Sequence, residues 1–126
     1  MPALEPLRGV RVVAAPDALD EARWVGVDPV VLRIAPDEAV GFGAGVGVET
    51  DDPHAIIEPE VGFAGAWCSP AEIAQHVDWQ LAGLLGLHQG KVAGVPAKVL
   101  VQRDRSLLVT SAAYADDLAA RLGWVG

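Results

Sequence analysis

The sequence has little of what several specialised protein classes require. It contains a single cysteine, Cys68, so an internal disulfide cannot form. Its longest uncharged apolar run, residues 39–48, has ten residues of which four are glycine, whereas a membrane-spanning helix needs about 20 apolar residues. Neither an internal repeat nor a low-complexity tract is present. These absences exclude a disulfide scaffold, a membrane-spanning helix and a repeat protein.

The amino-terminal residues also lack the pattern of a signal peptide, since no positively charged stretch precedes an apolar one. We therefore expect a cytoplasmic protein. The apolar content is sufficient for a core, because 52% of the 126 residues are hydrophobic and 21% are charged. Disorder requires low hydrophobicity together with high net charge. We expect a single folded domain over residues 1–126.

Negative charge is concentrated in the first half of the chain. Residues 1–60 carry 12 acidic and 4 basic side chains, a net charge of −8, whereas residues 61–126 carry 5 of each. An acidic surface repels nucleic-acid phosphates, and no basic amphipathic helix is present to bind an anionic membrane. We expect neither nucleic acid nor membrane as a partner. The acidic half is either a solvated surface or a docking surface for a basic protein.

Hydrophobic patterning predicts an α+β fold, with a mainly antiparallel sheet and two principal helices at about residues 70–78 and 112–122. The first helix is expected to begin at the capping box formed by Ser69 and Glu72, with Pro70 at the first helical position. The second is expected to have Ser111 as its cap and to end at Gly123.

Runs of β-branched residues predict the strands of the sheet. They lie at residues 8–14, 30–34, 39–43, 55–58, 62–67, 92–101 and 107–109. Turn residues at 35–38 and 103–105 predict antiparallel hairpins. The glycine-rich residues 43–53 are expected to form a loop or a frayed edge, and residues 81–90 a glycine-broken connection.

Two motifs invite a catalytic or nucleotide-binding interpretation. The glycines of residues 41–47 fit no register of G-x-G-x-x-G, and no amphipathic helix follows them, so we expect no nucleotide site. Cys68 precedes the capped helix, where a thiolate is stabilised. Because His76 lies about two helical turns away, a small core residue is the simpler interpretation of Cys68.

Metal ligands are not clearly indicated either. The three histidines, His54, His76 and His88, show no local pair with metal-ligand spacing. Asp51 and Asp52 with His54 could supply ligands, but this sequence is also typical of a polar turn. We therefore predict no catalytic residue, no metal and no cofactor.

Four tryptophans are many for a chain of this length, and tryptophan is common in interfaces and pockets. They are Trp24, Trp67, Trp79 and Trp124. We expect most of them in the core, and Trp79 and Trp124 are the candidate interface residues. If the chain binds a small molecule, we expect Trp67 or Trp79 to stack on it and residues 43–53 to act as a lid.

Three stretches of the second half resemble a known family. They are LHQGKVAGVPAKV at residues 87–99, SLLVT at residues 106–110 and AYADDL at residues 113–118. They resemble the C-terminal part of sarcosine oxidase gamma subunits, relatives of the folate-binding aminomethyltransferase (glycine cleavage T-protein) fold. The hairpin at residues 35–38 is similar to an upstream hairpin of that family, so the resemblance covers about residues 30–122.

This resemblance implies a non-catalytic role. In heterotetrameric sarcosine oxidase the flavins, the nicotinamide cofactor and the folate belong to other subunits, and no family catalytic residue maps onto this chain. The chain is also shorter than a full gamma subunit and much shorter than a T-protein, whose folate cavity lies between several domains. We predict a non-catalytic subunit or protein-interaction module with a protein partner or a homo-oligomeric state. The alternative is a folate-like small-molecule binding protein; an enzyme using Cys68 or the histidines is a third possibility.

Overall fold

The computed structural model describes residues 2–77 and 85–124, and strands dominate this part of the chain. The strands are β1 (Glu5–Val13), β2 (Arg23–Ala35), β3 (Glu38–Glu49), β4 (Ile56–Cys68), β5 (Gly86–Val92), β6 (Val95–Val101) and β7 (Ser106–Ser111). The helices are α1 (Pro16–Asp20), α2 (Pro70–Ala74) and α3 (Ala115–Leu122). Strands contain 58% of the described residues, and helices, including one 3-10 turn, contain 18%. The protein is therefore mainly β, and the predicted α+β class with two principal helices is wrong.

The first predicted helix, residues 70–78, is much shorter in the structure. Its capping box is confirmed: the Ser69 amide donates to Glu72 Oε1 at 2.9 Å, and this bond lowers the pKa of Glu72. However, α2 ends at Ala74, and the next amides bond three residues back, as His76 does to the Ile73 carbonyl. A capping box fixes where a helix begins but not how long it is. Asp78 lies outside the described residues.

The second predicted helix, residues 112–122, begins as a 3-10 turn over Ala112–Tyr114 and becomes α-helical only at Ala115. Its predicted end is confirmed, since Gly123 has the left-handed φ of 75°. Ser111 stands at the predicted N-cap position, before the 3-10 turn, but its side chain makes no capping hydrogen bond. No helix in the described part of the chain is long and apolar enough to cross a membrane.

The predicted loop at residues 43–53 is wrong over most of its length, because β3 continues to Glu49 and pairs with β2. Trp24 pairs with Val48, and its ring lies over Gly41, where a Cβ would be only 2.3 Å from Trp24 Cζ3. Glycine at residue 41 therefore makes room for an indole ring within the sheet. A lid formed by this segment, as the small-molecule hypothesis required, is not present.

The predicted hairpins are confirmed: β2 and β3 are joined at residues 36–37, and β6 pairs with β7 across residues 102–105. The predicted strand at residues 92–101 is instead two strands, because Ala93 and Gly94 form a two-residue turn with φ of 50° and 80°. Its first strand, β5, begins at Gly86, within the segment predicted to be an irregular connection; residues 81–84 lie outside the described part.

The chain divides into two compact units. The first unit is Leu7–Val61 and contains the antiparallel strands β2, β3 and β1 in that order. Its core includes Val12, Leu19 and Ala39, with Trp24 packed against it. Arg33 holds α1 in place, because its guanidinium donates to Asp20 Oδ1 at 2.9 Å and to the Pro16 carbonyl at 3.2 Å.

The second unit is Met1–Pro6 with Gly62–Gly126, and its strands lie in the order β4-β7-β6-β5. One face of this sheet forms a core with the helices. Its buried members include Ala66, Cys68, Ile73, Val99, Leu108, Leu118, Leu122 and Trp124. Successive side chains of a strand point to opposite faces, so the strand residues that alternate with these core residues lie on the other face. We call this other face the aromatic face; it carries Phe63, Trp67, Lys98, Leu107, Val109 and Ser111.

The register of β1 and β3 is testable at Gly9. A Cβ at residue 9 would lie 1.9 Å from the Gly41 carbonyl oxygen, a backbone atom held by the sheet. We expect Gly9→Ala to lower the free energy of unfolding by about 2 kcal/mol in urea denaturation. Gly47→Ala is the control, because its Cβ would meet only a methyl group of Val25 at 3.3 Å, and we expect a change below about 0.5 kcal/mol. Equal effects of the two substitutions would contradict this register.

Candidate functional site

Cys68 is the residue most able to act as a nucleophile by type, and the structure places it in the core of the second unit. It is the last residue of β4, buried, and paired in register with Ser106. Burial, and to a smaller extent the charge of Glu72, raises the pKa of the Cys68 thiol to about 11. Only the thiolate is nucleophilic, so this side chain is a core residue at neutral pH.

Ser106, on the neighbouring strand, is also buried, and its hydroxyl has no hydrogen-bond partner among the described residues. A serine becomes a nucleophile when an adjacent base takes its proton. No such base bonds to Ser106 in the described structure. The pair of Cys68 and Ser106 therefore belongs to the packing of the sheet.

The possible metal ligands Asp51, Asp52 and His54 lie where β3 leads into β4. Both oxygens of the Asp52 carboxylate accept backbone hydrogen bonds, Oδ1 from the His54 amide and Oδ2 from the Ala15 amide, each at 2.8 Å. These two bonds lower the pKa of Asp52, that from Ala15 most. In residues 2–77 and 85–124, no three His, Cys, Asp or Glu side chains form a metal-binding group. Asp52 instead joins this connection to the start of α1.

One arginine faces several carboxylates in the first unit. The Arg11 guanidinium donates to Glu38, and its Nη1 lies 3.9 Å from Glu58 Oε2. The hydrogen bond to Glu38 raises the pKa of Arg11, and the charges of Glu38, Glu58 and Glu60 raise it further. One positive charge against three negative ones leaves this surface acidic.

Large aliphatic side chains are exposed beside these acids. Ile56, Ile57 and Val61 expose 53%, 48% and 67% of their surface, although all three lie in the strand β4. Adjacent residues of a strand point to opposite faces, so the described residues leave about half of a side chain exposed on each face of the strand here, Ile56 on one and Ile57 on the other. We call residues 56–61 the acidic–aliphatic segment. The sequence did not indicate that this segment is exposed, because the same residues are equally compatible with a buried strand.

The tryptophans are in very different environments. Trp124 is buried in the core of the second unit, so little of it is available to a partner. Trp79 lies outside the described residues. Trp67 is partly exposed, and the Arg105 guanidinium carbon lies 3.6 Å from the centre of its ring. Arg105 thus occupies the ring face that a stacked ligand would use.

A cavity of about 410 Å³ lies in the second unit, and Trp67 is not among the residues that line it. Phe63, Lys98, Ser111 and Tyr114 line it, together with residues of β5, β6 and β7. Sequence reasoning missed this site. The available signal was Lys98, a charged residue within an otherwise apolar strand, on the side of the strand opposite Val99.

No protein-family model matches the chain, and no curated protein matches it. The resemblance to sarcosine oxidase gamma subunits stays a prediction from the sequence.

The protonated state of Cys68 is testable by alkylation. At pH 8 a pKa of about 11 leaves roughly one thiol in a thousand ionised. We expect iodoacetamide to label the native protein more than about 100-fold more slowly than the protein in 8 M urea. Because the native state keeps its proton while the unfolded state loses it above about pH 9, stability should also fall as the pH rises from 9 toward 11. Equal labelling rates would contradict the buried placement.

The role of Asp52 predicts an acid dependence of stability. Its pKa is lowered in the folded state, so its contribution is complete above the ordinary value of 3.8 and is lost as the pH falls through the folded value. We expect Asp52→Asn to be less stable than the native protein at pH 7, and this difference to shrink below about pH 4. Asp51→Asn is the control, since no hydrogen bond to its carboxylate is found among the described residues. A pH-independent difference would contradict the assignment.

Proposed function

We propose that this protein is a non-catalytic protein-interaction module, and that its acidic–aliphatic segment binds a basic partner protein. The exposure of Ile56, Ile57 and Val61 is the observation that carries the proposal. Exposed apolar side chains grouped together are typical of interaction surfaces, whereas isolated ones are common everywhere. The three residues lie within six positions of one strand: Ile57 and Val61 share one of its faces, and Ile56 lies on the other face with Glu58 and Glu60.

Charge indicates what kind of partner fits. The first unit, Leu7–Val61, carries 11 acidic and 4 basic side chains, a net charge of −7. A surface of this sign increases the association rate of a positively charged protein and repels acidic ones. The aliphatic side chains would then supply the buried area that makes the complex persist. A basic protein surface that also carries apolar side chains would therefore complement the acidic–aliphatic segment.

The same charge argues against a homodimer formed through this segment. A two-fold interface places the same patch of each copy against the other. The acidic patch of one copy, which includes Glu58 and Glu60, would then face the same acidic patch of the other, and close like charges oppose association. A different protein is therefore the better occupant.

The environment of the reactive side chains supports a role in binding. Cys68 is a buried, protonated thiol, and Asp52 is engaged by two backbone amides. The resemblance to sarcosine oxidase gamma subunits, as a prediction, implies the same kind of role. If the chain is part of an oxidase assembly, as that resemblance implies, its partner is another subunit of the assembly.

The test begins with the partner itself. Tagged protein is captured from the cells that produce it naturally, the bound protein is identified by mass spectrometry, and its binding is then measured with purified components. We expect Val61→Thr to weaken binding about tenfold or more, because a hydroxyl replaces a methyl group on the most exposed aliphatic side chain of the segment. We also expect affinity to fall with added salt.

Val27→Thr is the matched control. Val27 lies in β2 of the same unit and is 68% exposed, nearly the same as Val61, but it is outside the acidic–aliphatic segment. We expect this variant to bind normally. Equal binding by the native protein and Val61→Thr, a partner whose contact surface is acidic, or a homo-oligomer with no other partner would each overturn the proposal.

A further inference from the structure

We propose that the cavity of the second unit is a binding site for a small aromatic carboxylate. The site goes beyond the interaction surface proposed above and does not depend on it, since the two share no residue. It rests on three features of the lining: an ammonium group without a carboxylate partner, two aromatic rings, and two hydroxyl groups that make no hydrogen bond within the described chain.

Strand register brings these groups together. Phe63 of β4 pairs with Ser111 of β7, and Lys98 of β6 pairs with Val109 of the same β7 strand. Val109 and Ser111 are two residues apart and therefore share a face, so all four lie on the aromatic face. Tyr114 is added by the 3-10 turn that follows β7 directly.

Lys98 indicates the charge of the ligand. Its Nζ lies 5.8 Å from the centre of the Phe63 ring, and no carboxylate of residues 2–77 or 85–124 lies within 4 Å of it. Lys98 is half-buried. A partly desolvated ammonium group gains from an anion more than an exposed one does. The cavity therefore favours a ligand with a negative group.

A single lysine also limits how much charge the ligand carries. No arginine lines the cavity, and arginine is the residue that binds phosphate in a two-pronged manner. One ammonium group balances one carboxylate, and a second anionic group would be left without a counter-charge. We therefore infer a monocarboxylate in preference to a phosphate ester or a dicarboxylate.

The remaining lining favours a flat apolar body. The rings of Phe63 and Tyr114 line the cavity. Val109, whose side chain is buried, lies on β7, the strand between those of Phe63 and Lys98. Aromatic side chains pack well against other rings. The volume of about 410 Å³ is within the usual range for small-molecule pockets.

The hydroxyl groups of Ser111 and Tyr114 provide orientation. The Ser111 side chain does not cap the following turn, and neither hydroxyl has a hydrogen-bond partner in the described part of the chain. Thr110, which also lines the cavity, is already engaged, since its hydroxyl donates to the Pro96 carbonyl at 2.9 Å. Ser111 and Tyr114 can therefore donate to the carboxylate that Lys98 attracts.

The test uses 2-naphthoate as the probe and isothermal titration calorimetry on the full chain. Its neutral counterpart, 2-naphthamide, has the same ring and nearly the same shape. We expect the carboxylate to bind at least about tenfold more tightly than the amide. We expect Lys98→Met to lose this preference while still binding the amide as the native protein does, which shows that the cavity is intact.

Lys91→Met is the matched control, because Lys91 is the only other lysine of the chain and does not line the cavity. We expect it to retain the preference for the carboxylate, and Phe63→Leu to weaken both probes. The proposal is overturned if neither probe binds at millimolar concentration, if the two bind equally to the native protein, or if Lys91→Met and Lys98→Met have the same effect.

Discussion

The alternation of side chains between the two faces of the second unit's sheet is the constraint on which the account depends. Along β4 it buries Ala64, Ala66 and Cys68 and places Phe63 and Trp67 on the aromatic face. A shift of register by one residue would exchange the two sets. The same alternation hides the single thiol in the core and brings Lys98 beside Phe63. One geometric rule thus removes a possible nucleophile and builds a possible ligand site.

Charge follows a separate division along the chain. The first unit carries the acidic excess, and within it Arg11 is shared among Glu38, Glu58 and Glu60. In the second unit the single cavity-lining cation, Lys98, has no such neighbours in the described residues. An acidic exterior with exposed aliphatic groups suits a basic protein, and the Lys98 ammonium beside the Phe63 ring suits a small anion. Both features support the binding roles proposed above, and neither role requires proton transfer or a nucleophile.

Local signals predicted the local structure well. The hairpins at residues 35–38 and 103–105, the capping box at Ser69 and the glycine end at Gly123 were all confirmed, because each depends on a few adjacent residues. The fold class was wrong for a related reason. A cap marks the start of a helix, but tertiary packing decides its length, and α2 ends after five residues.

The error at residues 43–53 has a non-local cause. Glycine lowers strand propensity, yet Gly47 and Val48 of β3 pair with Val25 and Trp24 of β2, which lie far earlier in the sequence. The cavity was missed for the same reason, since Phe63, Lys98 and Tyr114 become neighbours only through strand pairing. The acidic–aliphatic segment was also missed, because the sequence alone does not show which strand the other described residues leave partly exposed.

Hydrogen-exchange mass spectrometry on the isolated protein and on its purified partner complex tests the central claim most directly. In the isolated protein, amides of residues 56–61 should exchange faster than those of β6 and β7, whose side chains include the buried Val99 and Leu108. In the complex, residues 56–61 should gain protection while β6 and β7 change little. Protection gained elsewhere, with residues 56–61 unchanged, would contradict the account.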